Sequence, residues 1–256
     1  MRTNKDDVVR RYIPTVIHGN VQKFLEHRQL ELVNGSVSKR RSVKIKTDGK
    51  GFLSDELFTK VIQIDGYVII EAKDKPDKKR RFHKSISAKN RDKPTKTFIV
   101  ILDVATPYAS ASGQFATLLK RIPGVDQTKR NYNLDIIIIS KKNLSKSSHM
   151  SRKVATFVTN GSTDNGFLNI HTHPYNIFTT YLLDPDHKSI PKHYILTLEE
   201  EQALVNSINA DKKDLPRIKK GDPPLVWLGA QIGDVILIEL EDEAAGINPK
   251  YHIVIG

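Results

Sequence analysis

Apolar residues near the start of the chain recur at steps of three and four positions, the spacing that places side chains on one face of a helix. These positions are Val9, Tyr12, Ile13, Val16, Ile17, Val21, Phe24 and Leu25. Pro14 lies within the stretch, and proline removes a backbone hydrogen bond inside a helix. The pattern therefore predicts an amphipathic helix that is kinked or restarted at Pro14.

Three nearly continuous apolar runs follow, "YVIIEA" (67–72), "TFIVILDV" (97–104) and "LDIIIIS" (134–140). Uninterrupted runs rich in β-branched residues are typical of strands that are buried on both faces. A strand, a helix and a strand within about forty residues form a crossover unit, whose strands run parallel. The N-terminal half is therefore predicted to be a small α/β domain.

Two further helices are predicted in this half. The first covers residues 54–62, with Ser54 as its N-cap, and the second lies between the last two strands, with Ser110 or Ser112 as its cap. The apolar residues of the second helix recur at helical spacing and are Phe115, Leu118, Leu119 and Ile122.

Three polar segments interrupt these elements. Residues 34–51 are basic and contain glycine, which predicts a loop, and residues 141–166 predict a loop or hairpin insertion with one possible strand at 154–159. Residues 73–96 hold 11 Lys/Arg and 3 Asp, too polar a composition for a core. This third segment is predicted to be a surface excursion that either contacts phosphate or only aids solubility.

The last third of the chain has unusually clear local signals. Thr197 and Glu200 stand in the relation of a capping box, which predicts a helix over about 198–209. Its predicted buried stripe consists of Ala203, Leu204, Val205 and Ile208. The run Glu199–Glu201 is interpreted as favourable charge at the helix N-terminus.

Prolines and glycines predict the geometry of the segment that follows. Pro216 forces Leu215 into an extended conformation. Asp222 caps a short helix with Pro223 at its first position, and the helix ends at a left-handed Gly229. Trp227 in this helix is predicted to be a core or interface anchor.

Turns at Gly233–Asp234 and at "EDEAAG" (241–246) bound the last two strands, which are predicted to be antiparallel. The expected fold class is thus an N-terminal helix plus an α/β domain, followed by a small mixed α+β domain.

Composition restricts the function. The chain has 256 residues and no cysteine, which excludes disulfides, thiolate metal sites and a cysteine nucleophile. It has neither a secretory leader nor an apolar run of roughly 18 residues, so an intracellular, soluble protein is expected. Residues 1–184 carry 33 Lys/Arg and 17 Asp/Glu, whereas residues 185–256 carry 8 and 12. This asymmetry predicts two domains with different partners, the basic one favouring a polyanion.

The string IPKH–helix–LPRI–DP–LG–GDV–AAG–Y.IV over residues 190–256 resembles the C-terminal assembly domain of RNA polymerase subunit 5. That family includes a subunit shared by eukaryotic polymerases I, II and III and its counterpart in archaeal RNA polymerase. The order and spacing of the motifs carry the resemblance, since no single tetrapeptide does.

The resemblance in the N-terminal half is weaker and depends on "TFIVILDVATPYASAS", which is similar to a strand of that family followed by its Thr-Pro-Ser-Ala loop. The resemblance implies that Thr106, Pro107, Tyr108 and Ser110 lie near downstream duplex DNA. An ordinary strand-to-helix turn is the alternative interpretation.

The resemblance as a whole implies a non-catalytic, accessory subunit of a DNA-directed RNA polymerase, without a cofactor or metal. Residues 1–170 would form a nuclease-like α/β jaw domain, with an insertion at about 141–166. Residues 185–256 would form an assembly domain that docks on the largest subunit. The implied partners are the largest and other polymerase subunits and downstream double-stranded DNA, with no membrane.

Thirteen residues are implied for assembly. Arg217 and His193 are expected to make direct contacts, and most of the others to determine backbone geometry. The set is Pro191, His193, Leu215, Pro216, Arg217, Ile218, Asp222, Pro223, Gly229, Gly233, Asp234, Gly246 and Tyr251.

Val226, Leu240, Ile247 and His252 stand where the family usually has arginine, which changes the electrostatic match to a partner. These departures favour a divergent member, from a large DNA virus with its own polymerase. The expected location is the nucleus for a cellular protein, or a cytoplasmic viral factory or virion for a viral one.

Three alternatives compete with this interpretation. The His171-Thr-His173-Pro174 motif is similar to the zinc motif of deubiquitinating metalloproteases, which would make the chain a zinc peptidase. That motif needs a serine three residues before its aspartate, and Tyr181 stands there before Asp184. A zinc site needs three well-placed ligands, so structural or surface histidines are favoured.

The second alternative is a metal-dependent nuclease built on Asp65, Glu71 and Lys73. Six steps along a strand separate the two carboxylates by roughly 20 Å, too far for one magnesium ion. The third alternative is a stand-alone DNA-binding module, for which salt-sensitive binding to duplex DNA would be expected.

Overall fold

The structure is a computed structural model that describes residues 5–34, 67–75, 93–102, 112–125, 130–140, 166–187, 190–242 and 246–256. Backbone contacts divide the chain into two units. The first unit comprises Met1–Arg80 and Lys84–Thr180, and the second comprises Arg81–His83 and Tyr181–Gly256. Within the described ranges, every helix is too short or too polar to cross a membrane.

The first unit begins with helix α1, Lys5–His27, which runs through Pro14 as one element. Its buried stripe contains Ile17, Val21 and Phe24, as the helical spacing predicts. Strand β1, Leu30–Asn34, follows directly after a turn. The sequence pattern does not predict this strand, because five mixed residues carry no distinct periodicity and become a strand only by pairing with a neighbour.

A five-stranded sheet forms the centre of the first unit, in the order β1-β2-β3-β4-β5. Strands β1 and β2 and strands β2 and β3 are antiparallel, whereas β3, β4 and β5 are mutually parallel. Helix α2 connects β3 to β4, so the predicted crossover is confirmed. The bounds are β2 Tyr67–Asp74, β3 Thr95–Leu102, α2 Ser112–Arg121, β4 Asn133–Ser140 and β5 Leu168–Pro174.

The core of the first unit lies against both faces of this sheet. All eight residues of β4 are buried, as the uninterrupted apolar run predicts. Alternate residues of the strands pack with Leu118, Leu119 and Ile122 of α2. Asn20 of α1 donates a hydrogen bond at 2.8 Å to the carbonyl oxygen of Phe178, a residue that follows β5. This bond connects the first helix to the last part of the unit.

The second unit is built on a four-stranded sheet in the order β6-β8-β9-β7. Strands β8 and β9 are antiparallel, which confirms the prediction, and the short β7 is parallel to β9. One face packs against α3 through Leu204 and Val235, and the other packs against α4 through Leu225 and Ile236. The bounds are β6 Lys192–Ile195, α3 Leu198–Ile208, β7 Arg217–Lys219, α4 Pro223–Leu228, β8 Val235–Asp242 and β9 Gly246–Ile255.

The local predictions in the second unit are largely confirmed. Thr197 and Glu200 form the complete capping box of α3, with each side chain accepting a hydrogen bond from the other residue's backbone amide. Leu215 is extended, and α4 ends at a left-handed Gly229. Trp227 is fully buried and belongs to the core.

Two details differ from the prediction. The buried residues of α3 are Glu201 and Leu204, whereas Ala203 and Ile208 are exposed, because the helix is rotated to bring Glu201 onto the sheet. Asp222 occupies the N-cap of α4 but makes no capping hydrogen bond.

Several predictions lie outside the described residues. They are the helix at 54–62, nearly all of the loop at 34–51 and of the insertion at 141–166, and the possible strand at 154–159. Within the basic segment 73–96, residues 76–92 also lie outside them.

Candidate functional site

His193, a predicted assembly residue on β6, shares one side of the second sheet with Asp222. The Nδ1 of His193 donates a hydrogen bond to the carbonyl oxygen of Pro191 at 2.6 Å. Burial lowers the pKa of His193 below its ordinary value, and the charge of Asp222 opposes this shift. Burial likewise raises the pKa of Asp222. Both side chains are therefore held in a partly desolvated cluster, which lies at the start of α4.

Four of the predicted residues position β7 and the turn before it. Leu215 is buried, and the carbonyl oxygen of Pro216 accepts a hydrogen bond from the backbone amide of Ile253 at 2.8 Å. Ile218 packs into the α4 side of the core, whereas Arg217 is exposed. Of these four residues, Arg217 has the cationic side chain and the exposure that a direct contact needs.

The glycines and Asp234 hold the turns. Gly229, Gly233 and Gly246 all have positive φ, the conformation that glycine adopts without steric cost. The carboxylate of Asp234 accepts a hydrogen bond from the backbone amide of Gln231 at 2.8 Å, and its carbonyl oxygen accepts one from Val254 at 2.9 Å. Pro223 stands at the start of α4, and Tyr251 packs beside the α3 core. Their assembly role stays a prediction.

Glu201 is a structural residue whose function the sequence pattern missed. One of its carboxylate oxygens accepts a hydrogen bond from the backbone amide of Val235 at 3.1 Å, and the other contacts the ammonium group of Lys212 at 2.5 Å. These bonds join α3 to the first residue of β8 and to the turn before β7. The sequence did contain a signal for this position. Glu201 lies three residues before the buried Leu204, so the two side chains share one face of the helix.

The two histidines of the His-x-His-Pro motif lie on β5, at the edge of the first sheet. Their rings stack nearly parallel, with centroids 6.2 Å apart. The Nε2 of His171 lies 2.6 Å from the side-chain amide of Asn169 and 3.7 Å from a carboxylate oxygen of Asp135. Among the described residues no three metal-ligating side chains form a group. The described geometry is that of a hydrogen-bonded cluster across β4 and β5.

The nuclease alternative has two of its three residues in the described ranges. Glu71 and Lys73 lie on β2, an uninterrupted strand over its eight residues. The ammonium group of Lys96 on β3 lies 4.0 Å from the carboxylate of Glu71. Asp65 lies outside the described residues, as do Thr106, Pro107, Tyr108 and Ser110, the predicted DNA-proximal residues. Their predicted roles therefore stay predictions.

The second unit is thus a small mixed α+β domain whose local structure is held by a capping box, left-handed turns and the hydrogen bond of Glu201 to β8. A family described as "RNA polymerase Rpb5, C-terminal domain" matches residues 185–254 of this chain. Among archaeal relatives, the DNA-directed RNA polymerase subunit Rpo5 of Thermococcus kodakarensis is 38% identical over 81 residues, which cover 32% of this chain and 90% of the relative. The same subunit of Methanosarcina acetivorans is 37% identical over 70 residues, 27% of this chain and 90% of that relative.

A viral relative matches a larger part of the chain. The DNA-directed RNA polymerase RPB5 homolog of African swine fever virus (isolate Warthog/Namibia/Wart80/1980) is 31% identical over 138 residues, 54% of this chain. The chain spans 62% of the length of that relative. The aligned region is longer than everything after residue 184, so it also includes residues of the first unit.

This chain belongs to the Rpb5 family of RNA polymerase subunits. The prediction of a divergent member similar to viral proteins is confirmed.

Proposed function

We propose that this chain is an accessory subunit of a DNA-dependent RNA polymerase, with the catalytic metal and nucleotide sites on other subunits. The observation that carries the proposal is the family match over residues 185–254, which covers nearly all of the second unit. Transcription takes place inside a cell or a virus particle, and the chain would act there.

The second unit attaches the chain to the polymerase, with the largest subunit as its partner. The capping box of α3 and the bonds of Glu201 to β8 and Lys212 support this role, since they make the unit rigid before it binds. Binding costs less when the surface is already ordered, because less conformational freedom is lost.

The first unit lies near downstream duplex DNA. Residues 1–184 carry a net charge of +16, as counted from 33 Lys/Arg and 17 Asp/Glu. Lys73, Lys75 and Lys96 are exposed at one end of β2 and β3. Attraction between lysines and phosphates does not depend on base sequence, which suits a subunit that moves along the template.

Affinity purification of the tagged full chain from its native source tests the proposal. We expect the largest polymerase subunit to co-purify in a constant ratio, in fractions that synthesise RNA from a DNA template. A tagged, unrelated basic protein of similar size is the matched control for charge-driven association. Recovery of the chain without any polymerase subunit would contradict the proposal.

DNA binding is measured separately. We expect photo-crosslinks from the first unit to template DNA only when the chain is part of the transcribing complex. Tight binding of duplex DNA by the purified chain alone, with a strong dependence on salt, would instead support the stand-alone DNA-binding module.

A further inference from the structure

Two histidines and one aspartate lie together on the α4 side of the second sheet. His193 on β6 is the register partner of Ile238, and His252 on β9 is the register partner of Ile236. These two isoleucines are alternate residues of β8, so they share a face, and both pack into the core on the α4 side. Both histidine side chains therefore lie on that side of the sheet. Asp222 stands directly before the first residue of α4.

The polar atoms of this cluster have few hydrogen bonds. The Nδ1 of His193 donates to the carbonyl oxygen of Pro191 at 2.6 Å, so its Nε2 is the nitrogen that can take up a proton. The Nδ1 of His252 is buried and has no hydrogen-bond partner within the described part of the chain. The carboxylate of Asp222 makes no capping hydrogen bond to α4. The cluster is therefore poorly suited to hold additional charge.

A proton on either histidine adds a positive charge to a partly desolvated place. An imidazolium ring has an N–H group at both nitrogens, so a charged His252 would hold a buried donor without an acceptor, which costs free energy. Burial lowers the pKa of His193, and the hydrogen bond to Pro191 and the charge of Asp222 oppose this shift. The charge of His252 lowers the pKa of His193 as well. The two histidines therefore resist being charged together.

The charges around the cluster do not balance two protonated histidines. Among the described residues, Asp222 and His252 are the groups whose charge acts on His193. Strand β8 contributes Ile236 and Ile238 to this side, and α4 has no ionisable residue. Lys250 of β9 is a register partner of Ile238 and adds a further, exposed cation. One carboxylate would thus stand against three positive charges.

Helix α4 is the element that this charge would affect. It has six residues, too few for an isolated helix to be stable in water, so it depends on its packing against the sheet. Leu225 of α4 and Ile195 of β6 belong to the same core cluster, and Ile195 lies two residues after His193. Charge on the histidines favours the entry of water between β6 and the start of α4, because a charged ring is more stable when it is hydrated.

We propose that His193 and His252 form a proton-sensitive latch: when both histidines are charged, α4 loosens from β6 while the α3 side of the same sheet stays folded. The α3 side has its own support, because Glu201 accepts a hydrogen bond from Val235 and contacts Lys212. Opening of α4 is then a local event that precedes unfolding of the whole unit. The latch operates as the pH falls from about 7 to about 5, the range in which histidine changes its charge.

Hydrogen exchange of the purified full chain tests the latch, with rates corrected for the pH dependence of the exchange chemistry. The backbone amides of Val226 and Gly229 donate hydrogen bonds within α4 and report its opening. We expect their protection to fall by roughly tenfold or more between about pH 7.5 and 5, while the amides of α3 keep theirs. An equal loss of protection in α3 and α4 would overturn the latch, since the unit would then open as a whole.

Substitution of the histidines shows whether they cause the opening. His193→Gln together with His252→Gln removes both titrating groups, and we expect α4 to keep its protection across the same pH range. The matched control is His187→Gln, at an exposed position of the same unit, which should lose protection as the wild type does. Loss of protection in the doubly substituted chain to the wild-type extent would overturn the proposal.

A second measurement does not need the doubly substituted chain to fold. The imidazole resonances of His193 are followed by NMR as a function of pH, in the wild type and in His252→Gln. We expect the pKa of His193 to be higher in the variant, because the neighbouring positive charge has been removed. His187→Gln should leave the titration of His193 as it is in the wild type. An unchanged or lowered pKa of His193 in His252→Gln would overturn the latch.

Discussion

The two units reach stable structure by different means. The sheet of the first unit contains a strand with every residue buried, and its core comes from long β-branched runs on both faces. Strand β9 of the second unit has one fully buried residue among ten, and its unit depends on caps, left-handed turns and a few buried anchors. A unit that buries a large apolar area has more stability to lose before it unfolds. A unit with a small core is therefore more sensitive to the loss of a single cap, turn or buried hydrogen bond.

The relatives match the two units to different extents. Archaeal relatives are little longer than the second unit, whereas the viral relative also aligns with part of the first. The smaller unit therefore has the size of a whole protein in those archaea, despite its small core. Its only tryptophan, Trp227, also allows its unfolding to be followed by fluorescence separately from the first unit.

Loss of Glu201 should have the largest effect. We expect Glu201→Ala to lower the free energy of unfolding of the second unit by about 3 kcal/mol, because Val235 loses its acceptor and Lys212 its counter-charge. Thermal unfolding followed by Trp227 fluorescence measures it. Glu199→Ala, at an exposed position of the same helix, should change stability little. Equal effects of the two changes would contradict the role of Glu201.

Gly166 provides the corresponding test in the first unit. A Cβ atom there would overlap the backbone carbonyl of Tyr132, so we expect Gly166→Ala to cost about 2 kcal/mol. Hydrogen exchange of the β4 and β5 amides should accelerate while that of β8 and β9 stays unchanged. Gly19→Ala, in α1 with open space around it, should stabilise the unit by about 1 kcal/mol instead. Equal acceleration in both units would contradict an effect of Gly166 that is local to β4 and β5.

The capping box tests how strongly the second unit depends on local signals. We expect Thr197→Ala to cost about 1 kcal/mol, since the backbone amide of Glu200 loses its acceptor. Thr197→Ser keeps the hydroxyl and should retain most of the stability. Denaturant unfolding followed by Trp227 fluorescence compares the two variants. An equal loss in both would show that packing of the methyl group, rather than the cap, is responsible.

The smallest effect concerns pH. Because burial lowers the pKa of His193 in the folded state, the unfolded state binds its proton first as pH falls. The contribution of His193 to the free energy of unfolding is therefore fully present above pH 6.5, its ordinary pKa. This contribution decreases as the pH falls from 6.5 through the lowered pKa of the folded state. We expect His193→Gln to reduce the acid loss of stability of the second unit, measured by Trp227 fluorescence between about pH 7.5 and 5. His187→Gln, at an exposed position of the same unit, serves as the matched control.

Local signals explain which predictions were confirmed. Thr197, Glu200, Pro216 and Gly229 act on the backbone within a few residues, so their consequences can be inferred from neighbouring positions alone. The runs in β3 and β4 predicted strands for a similar reason, because continuous apolar residues need burial on both faces. Strand β1 was missed because its structure depends on pairing with β2, about forty residues further along the chain.

The sequence by itself therefore determined the strands with apolar runs, the helix ends and turns, and the family to which the chain belongs. Only the tertiary structure decided which side of α3 faces the sheet, that the carboxylate of Glu201 accepts a hydrogen bond from Val235, and that Tyr194 and Tyr251 lie on the same side of the second sheet. The physical reason is distance along the chain. Caps and turns are energetically local, whereas the burial of a side chain depends on what folds over it from elsewhere.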